Sequence, residues 1–164
     1  MIRQFLIAAL AALALPAAAQ AVPAANFTDM WYNPSESGWG LSFTQHAASN
    51  QVYAVMYTYD PREPDPASGD STDFKPLWIV MSGGIWATPT QITGNAYVTN
   101  GVPFFQGGSN TTVNHVGSFT ISFSDFNNAT FSYNLAPQGN PSSTEPAFGL
   151  PAFNGVKAIT RQSF

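Results

Sequence analysis

The sequence predicts an all-β fold, an antiparallel meander of seven or eight strands closed as an up-and-down barrel in preference to a sandwich. Three observations predict it. Apolar and polar residues alternate with period two through most of the chain, no stretch sustains a period of 3.6, and 13 Gly and 13 Pro punctuate the runs. Short strands joined by hairpin-length turns fit a barrel or a sandwich best.

Taken in order, the chain begins with Arg3, an unbroken apolar run from Phe5 to Leu15, and the small residues Pro16-Ala17-Ala18-Ala19. That is the order of a secretory signal peptide, residues 1–19, with cleavage after Ala19. Eleven apolar residues rise only about 16 Å as a helix, against about 30 Å for a hydrocarbon core, so a spanning anchor is the weaker reading. The expected address is periplasmic or secreted. Residues 20–164 then form a single β domain, of a size to hold one core.

Period-2 runs occupy Gly40–His46, Gln51–Asp60, Pro76–Ser82, Ile92–Thr99, His115–Ser124, Ala129–Leu135 and Val156–Gln162, with an eighth at Phe27–Tyr32. Ala48-Ser49-Asn50, Ser82-Gly83-Gly84 and Asp125-Phe126-Asn127-Asn128 read as turns between them. Residues 61–74 and 136–154 are rich in proline and lack alternation, and they are expected as solvent-facing hairpin insertions, the first of them mobile.

Charge narrows the function. Only 9% of residues are charged, and loss of the signal segment with its Arg3 leaves four basic side chains against nine acidic ones. Phosphate-backbone binding has no driving force in such a chain, so nucleic acid is not an expected partner. With no cysteine there is no disulfide, no thiolate ligand and no lipidated N-terminal thiol.

The strand faces differ. Phe119, Ile121 and Phe123 alternate with serine and threonine, as do Phe131, Tyr133 and Leu135 with Thr130, Ser132 and Asn134, so these strands have one dry face. Gln51–Asp60 instead sets Tyr53, Val55, Tyr57 and Tyr59 against Val52, Ala54 and Met56, and Leu77, Ile79 and Met81 back onto Trp78 and Val80. Apolar surface contributes roughly 25 cal/mol per Å² when buried, so an insertion, a second subunit or a ligand is expected to cover the second face.

The segment Trp31-Tyr32-Asn33-Pro34-Ser35-Glu36-Ser37-Gly38-Trp39-Gly40-Leu41, followed by Tyr57-Thr58-Tyr59-Asp60, Pro76–Met81, Phe123-Ser124-Asp125, Ala129–Tyr133 and Ile159-Thr160-Arg161, resembles a recurrent exported module of proteobacteria. That module occurs alone or appended to larger secreted proteins and carries no assigned activity. The resemblance implies an autonomous β domain outside the cytoplasm and brings no catalytic residues. The long 61–74 and 136–154 segments depart from it, so loop-borne function does not transfer.

The expected role is a non-enzymatic binding or interaction module for a glycan or a small hydrophobic ligand, with no cofactor and no metal. Its candidate contact residues are Trp31, Glu36, Trp39, Tyr53, Tyr57, Tyr59 and Trp78, since flat aromatic faces suit sugars and apolar ligands. Glu36 reads either as a ligand-facing carboxylate or as a turn carboxylate paired with Lys157 or Arg161. His46 and His115 have no partners at metal-ligand spacing. Three alternatives stand beside this reading: a small glycan hydrolase using Glu36 and Asp60, a self-associating homo-oligomer, and a small outer-membrane barrel. Strands of seven to nine residues are short for the last of these.

Overall fold

The computed structural model describes residues 21–64, 69, 74–108 and 111–163. The expected signal segment and most of the first insertion lie outside the described residues. Eight strands follow in chain order: β1 (Asp29–Tyr32), β2 (Gly40–Gln45), β3 (Val52–Pro64), β4 (Phe74–Thr88), β5 (Gln91–Asn100), β6 (Thr112–Phe123), β7 (Asn128–Leu135) and β8 (Phe153–Arg161). Each pairs antiparallel with the next, and β8 returns to β1, closing the barrel. One 3₁₀ turn, Phe104–Gln106, is the sole helical element among the described residues.

Pairing register sets the faces. Residues directly opposite one another point the same way, so the Leu41↔Met56, Met56↔Ile79, Ile121↔Phe131 and Phe131↔Lys157 pairs all face the interior. Closure buries Leu41, Phe43, Ile79, Met81, Phe119 and Phe131 almost completely. On the outside, β5 to β7 present mainly Thr93, Asn95, Ser118, Thr120, Thr130, Ser132 and Asn134, while β8 exposes Val156. The outer faces of β3 and β4 carry Tyr53, Tyr57, Tyr59 and Trp78, exposed by 50%, 37%, 52% and 64%.

β3, β4, β6 and β8 outrun their sequence limits by three residues or more, β4 the furthest. Residues 82–84 read as a turn but lie within β4, where the register shifts as a β-bulge. Gly83 adopts φ +69° there, and a Cβ on Gly84 would lie 2.8 Å from Ile92 Cδ1. The glycines therefore serve a bend and a close approach, and the chain reverses instead at Pro89-Thr90, carrying Trp86 into the core. β3 and β4 also continue past Asp60 to a Pro64↔Phe74 pair. β3, β4, β5 and β6 thereby reach 13, 15, 10 and 12 residues, while β1 and β2 have four and six. Length alone no longer argues against a spanning barrel. The outer face of β5 to β7 is polar, whereas the lipid-facing band of a membrane barrel is apolar all round.

The two ends differ. Short turns gather at one end, where residues 21–28 run across the opening: Ala21 N–H donates to Trp86 O and Ala24 N–H to Pro89 O. Phe27 stacks on Phe123 at 3.9 Å between ring centroids, and Phe123 also meets Trp31, Phe43 and Trp86 within 6.0 Å. That cluster seals the end.

Long connections gather at the other end. The 136–152 segment, expected to face solvent, keeps most of its residues exposed but anchors itself by Ala147 and Leu150, which join the core. Arg62 holds it by donating to Pro146 O and Phe148 O, and Asn114 by bonding Glu145 Oε1 and the Ala147 N–H. An Ala and a Leu set among prolines and glycine show no strand period, which is why the burial is invisible in sequence. Phe104 and Phe105 stand out in solvent on the neighbouring β5–β6 connection.

Phe123→Ala removes the ring on which the sealed end converges. Loss of a buried phenyl ring costs about 3–5 kcal/mol, so the urea unfolding midpoint is expected to fall sharply with the slope unchanged.

Candidate functional site

A hollow lies at the long-loop end, at the barrel mouth. It has a volume of about 330 Å³ and is lined by Trp39, Met56, Tyr59, Phe131, Tyr133 and Phe153, with Glu36 and Lys157 among them. Ligand pockets occupy roughly 300–1,000 Å³, so this one suits a small molecule.

The β1–β2 connection places its acid. Asn33 Oδ1 accepts the Ser35 N–H, Pro34 sits within that turn, and the Glu36 N–H donates to Asn33 O. Glu36 thus turns back over the mouth, where Oε2 accepts the Trp39 Nε1–H at 3.0 Å and Oε1 accepts Lys157 Nζ at 2.9 Å. Lys157 arrives from β8 at an inward position. Strand β8 makes further room at Gly155, where a Cβ would lie 2.6 Å from the Tyr133 hydroxyl oxygen, so only glycine leaves space for that phenol.

Both charges are about one-third exposed and remain accessible from the cavity. The Lys157 hydrogen bond, then that of Trp39, holds Glu36 below the ordinary carboxylate range, and Glu36 in turn raises Lys157.

Asp60 is engaged elsewhere. Arg62 Nε donates to its two oxygens at 2.8 and 3.0 Å while the guanidinium also clamps the 136–152 segment. Burial pushes Asp60 upward, but the Arg62 hydrogen bonds outweigh it and the net shift is downward. A glycosidase needs one carboxyl held protonated. Glu36 and Asp60 are both shifted the opposite way, each on its own cation.

Of the seven residues expected to form one contact surface, five, Trp31, Trp39, Tyr57, Tyr59 and Trp78, line one open hollow on the outer side, and Glu36 and Tyr53 fall outside it. Glu36, Trp39 and Tyr59 meet at the mouth. Tyr53, Tyr57 and Trp78 lie on the outer sheet, where Tyr57 and Trp78 meet edge-on at 6.1 Å. This second, more open hollow of about 500 Å³ runs along that side, sharing Trp39, Thr58 and Tyr59 with the first, so these side chains form the wall between them. Trp31 is 1% exposed and donates its indole N–H to Phe27 O, which makes its ring a core element.

Met56, Phe131, Tyr133 and Phe153 enter the site without having been singled out. They sit on the dry faces of their strands, and alternation cannot distinguish a filled interior position from one beside a void. His46 bonds Ser49 within its turn, and His115 bonds Gly117 O. Among the described residues no group of three or more acidic or histidine side chains is placed to hold a metal ion.

The protein is thus an eight-stranded up-and-down barrel with one sealed end and one cavity-bearing end. No family model, curated protein or solved structure matches the chain.

The lowered pKa of Asp60 carries a sign. Its ordinary value is 3.8, so the ionised form adds stability above that pH, and the contribution is lost as pH falls through the lower folded value. Asp60→Asn is expected to cost about 1–3 kcal/mol at neutral pH by loosening Arg62. It also flattens the decline of urea midpoints on acidification.

Proposed function

We propose that the protein is an exported, non-enzymatic binding module that takes a small ligand into the mouth of its barrel. The observation that carries this reading is the change in interior packing along the barrel. Large rings fill the sealed half, whereas Thr58, Gly155 and Lys157 take inward positions at the other, leaving a cavity walled by aromatic rings around one ion pair. An eight-stranded barrel is wide enough either to be filled by its own side chains or to hold one small ligand. This barrel divides its length between the two. Paired carboxylates with lowered pKa values support binding over hydrolysis, and the polar outer face of β5 to β7 supports a protein that stays out of the bilayer.

The outer aromatic face of β3 and β4 favours a second reading, self-association. Contiguous exposed apolar patches mark interaction sites, and Trp78 is the most exposed of the four rings there. Oligomer size that grows with concentration in light scattering, without ligand, is its signature.

Titration of the purified protein with small apolar and glycan ligands, followed by tryptophan fluorescence and calorimetry, separates the two surfaces. Trp39→Ala is expected to weaken binding by about tenfold or more, the loss of roughly 1.4 kcal/mol, while Trp78→Ala leaves it unchanged. The reverse pattern moves the site to the outer sheet. A protein that answers no ligand, with or without either ring, overturns the reading.

A further inference from the structure

The mouth cavity contains more than apolar walls. Its rings touch in series, Trp39 to Phe131 at 6.2 Å, Phe131 to Tyr133 at 5.3 Å and Tyr133 to Phe153 at 6.0 Å, with Tyr59 beside them. At one side of this array sits a carboxylate, and beside that a single ammonium. Aromatic faces attract a cation through their quadrupole, and do so most effectively for one that sheds water easily, such as a methylated ammonium.

We propose that the cavity receives a small betaine-type zwitterion, a methylated ammonium joined by a short linker to an anionic group. This deepens the reading of the mouth as a ligand site and rests on it. The cationic head lies among the rings and against Glu36, and the anionic end takes Lys157.

Charge accounting selects this class. A ligand carrying only a cation competes with Lys157 for Glu36 and leaves the ammonium without a partner. One carrying only an anion does the reverse. A neutral hydrophobe leaves the pair untouched and uses only the walls. A zwitterion replaces one ion pair by two and keeps the cavity neutral, so neither charge is desolvated alone. Trp39 links the two parts of the site, since it supplies a ring to the wall and its N–H orients the Glu36 carboxylate.

The test is a calorimetric titration of the purified protein with glycine betaine and with phosphocholine. Tert-butylacetate, the shape-matched ion in which carbon replaces the quaternary nitrogen of betaine, is the control. Betaine is expected to bind about tenfold or more tightly than its carbon counterpart. Glu36→Gln is expected to reduce that preference and Lys157→Met to weaken both ions without reducing it, with unfolding curves confirming that both variants fold.

Equal binding of betaine and tert-butylacetate overturns the zwitterion and leaves a cavity for apolar molecules. No response to any of the three, in a protein whose binding of apolar probes still depends on Trp39, overturns the zwitterion alone. No response to these ions or to any apolar probe removes the mouth reading as well. Phosphatidylcholine vesicles present the same head at a surface, and retention on them without a response to free zwitterions overturns a dissolved ligand.

Discussion

Closure of β8 onto β1 is the constraint on which the rest of the structure depends. Only two residue pairs span the seam, Trp31↔Arg161 and Tyr32↔Thr160. Arg161 reinforces it by donating to Asp29 Oδ2 and to Phe126 O, with its guanidinium 3.9 Å from the Phe126 ring centre. A closed sheet has no free edge to pair with a neighbour, and closing eight strands also limits the space inside. Within that limit each inward side chain either fills volume or leaves it. The stack of Phe27 on Phe123, with Trp31, Phe43 and Trp86 around it, fills one half, and the void at the other end follows from the smaller and charged residues placed there.

Much of this architecture is legible in the chain because a strand with one buried face writes its period directly into the sequence. His115–Ser124 and Ala129–Leu135 correspond closely to β6 and β7 for that reason. Glycine is less readable, because a bulge and a turn use the same residue. Ser82-Gly83-Gly84 has the composition of a reversal and the role of a bend within a continuing strand. Only the side chain of Ile92 on the next strand and the ring of Phe119, distant in sequence, show why no larger residue fits at Gly84. The 136–152 segment is opaque on similar grounds, since its anchors, Arg62 and Asn114, are far removed along the chain.

The site was legible in part. The motif from Trp31 to Leu41 singles out Glu36 and Trp39, and the pairing of Glu36 with Lys157 was among its two readings. Tyr57 and Trp78 do share a hollow with Trp31, Trp39 and Tyr59 on the outer side of the sheet, whereas Glu36 turns to the mouth and Tyr53 lines neither hollow. Phe131 and Tyr133 carried the signal of ordinary core. A readable sign was present in β8, where Lys157 occupies the same face as the buried Ile159. An ammonium at an inward strand position needs both a counter-charge and open space, and the mouth provides both.

The path of the chain through the sealed end has a practical consequence. The segment leading into β1 crosses that end, and β8 leaves the barrel there at Arg161, four residues beyond Lys157. At about 3.3 Å per strand residue the exit lies roughly 13 Å from the ion pair. A dye, surface tether or fused partner joined after β8 therefore attaches at the base of the vessel and leaves its opening pointing away, so immobilisation and display need not obstruct entry.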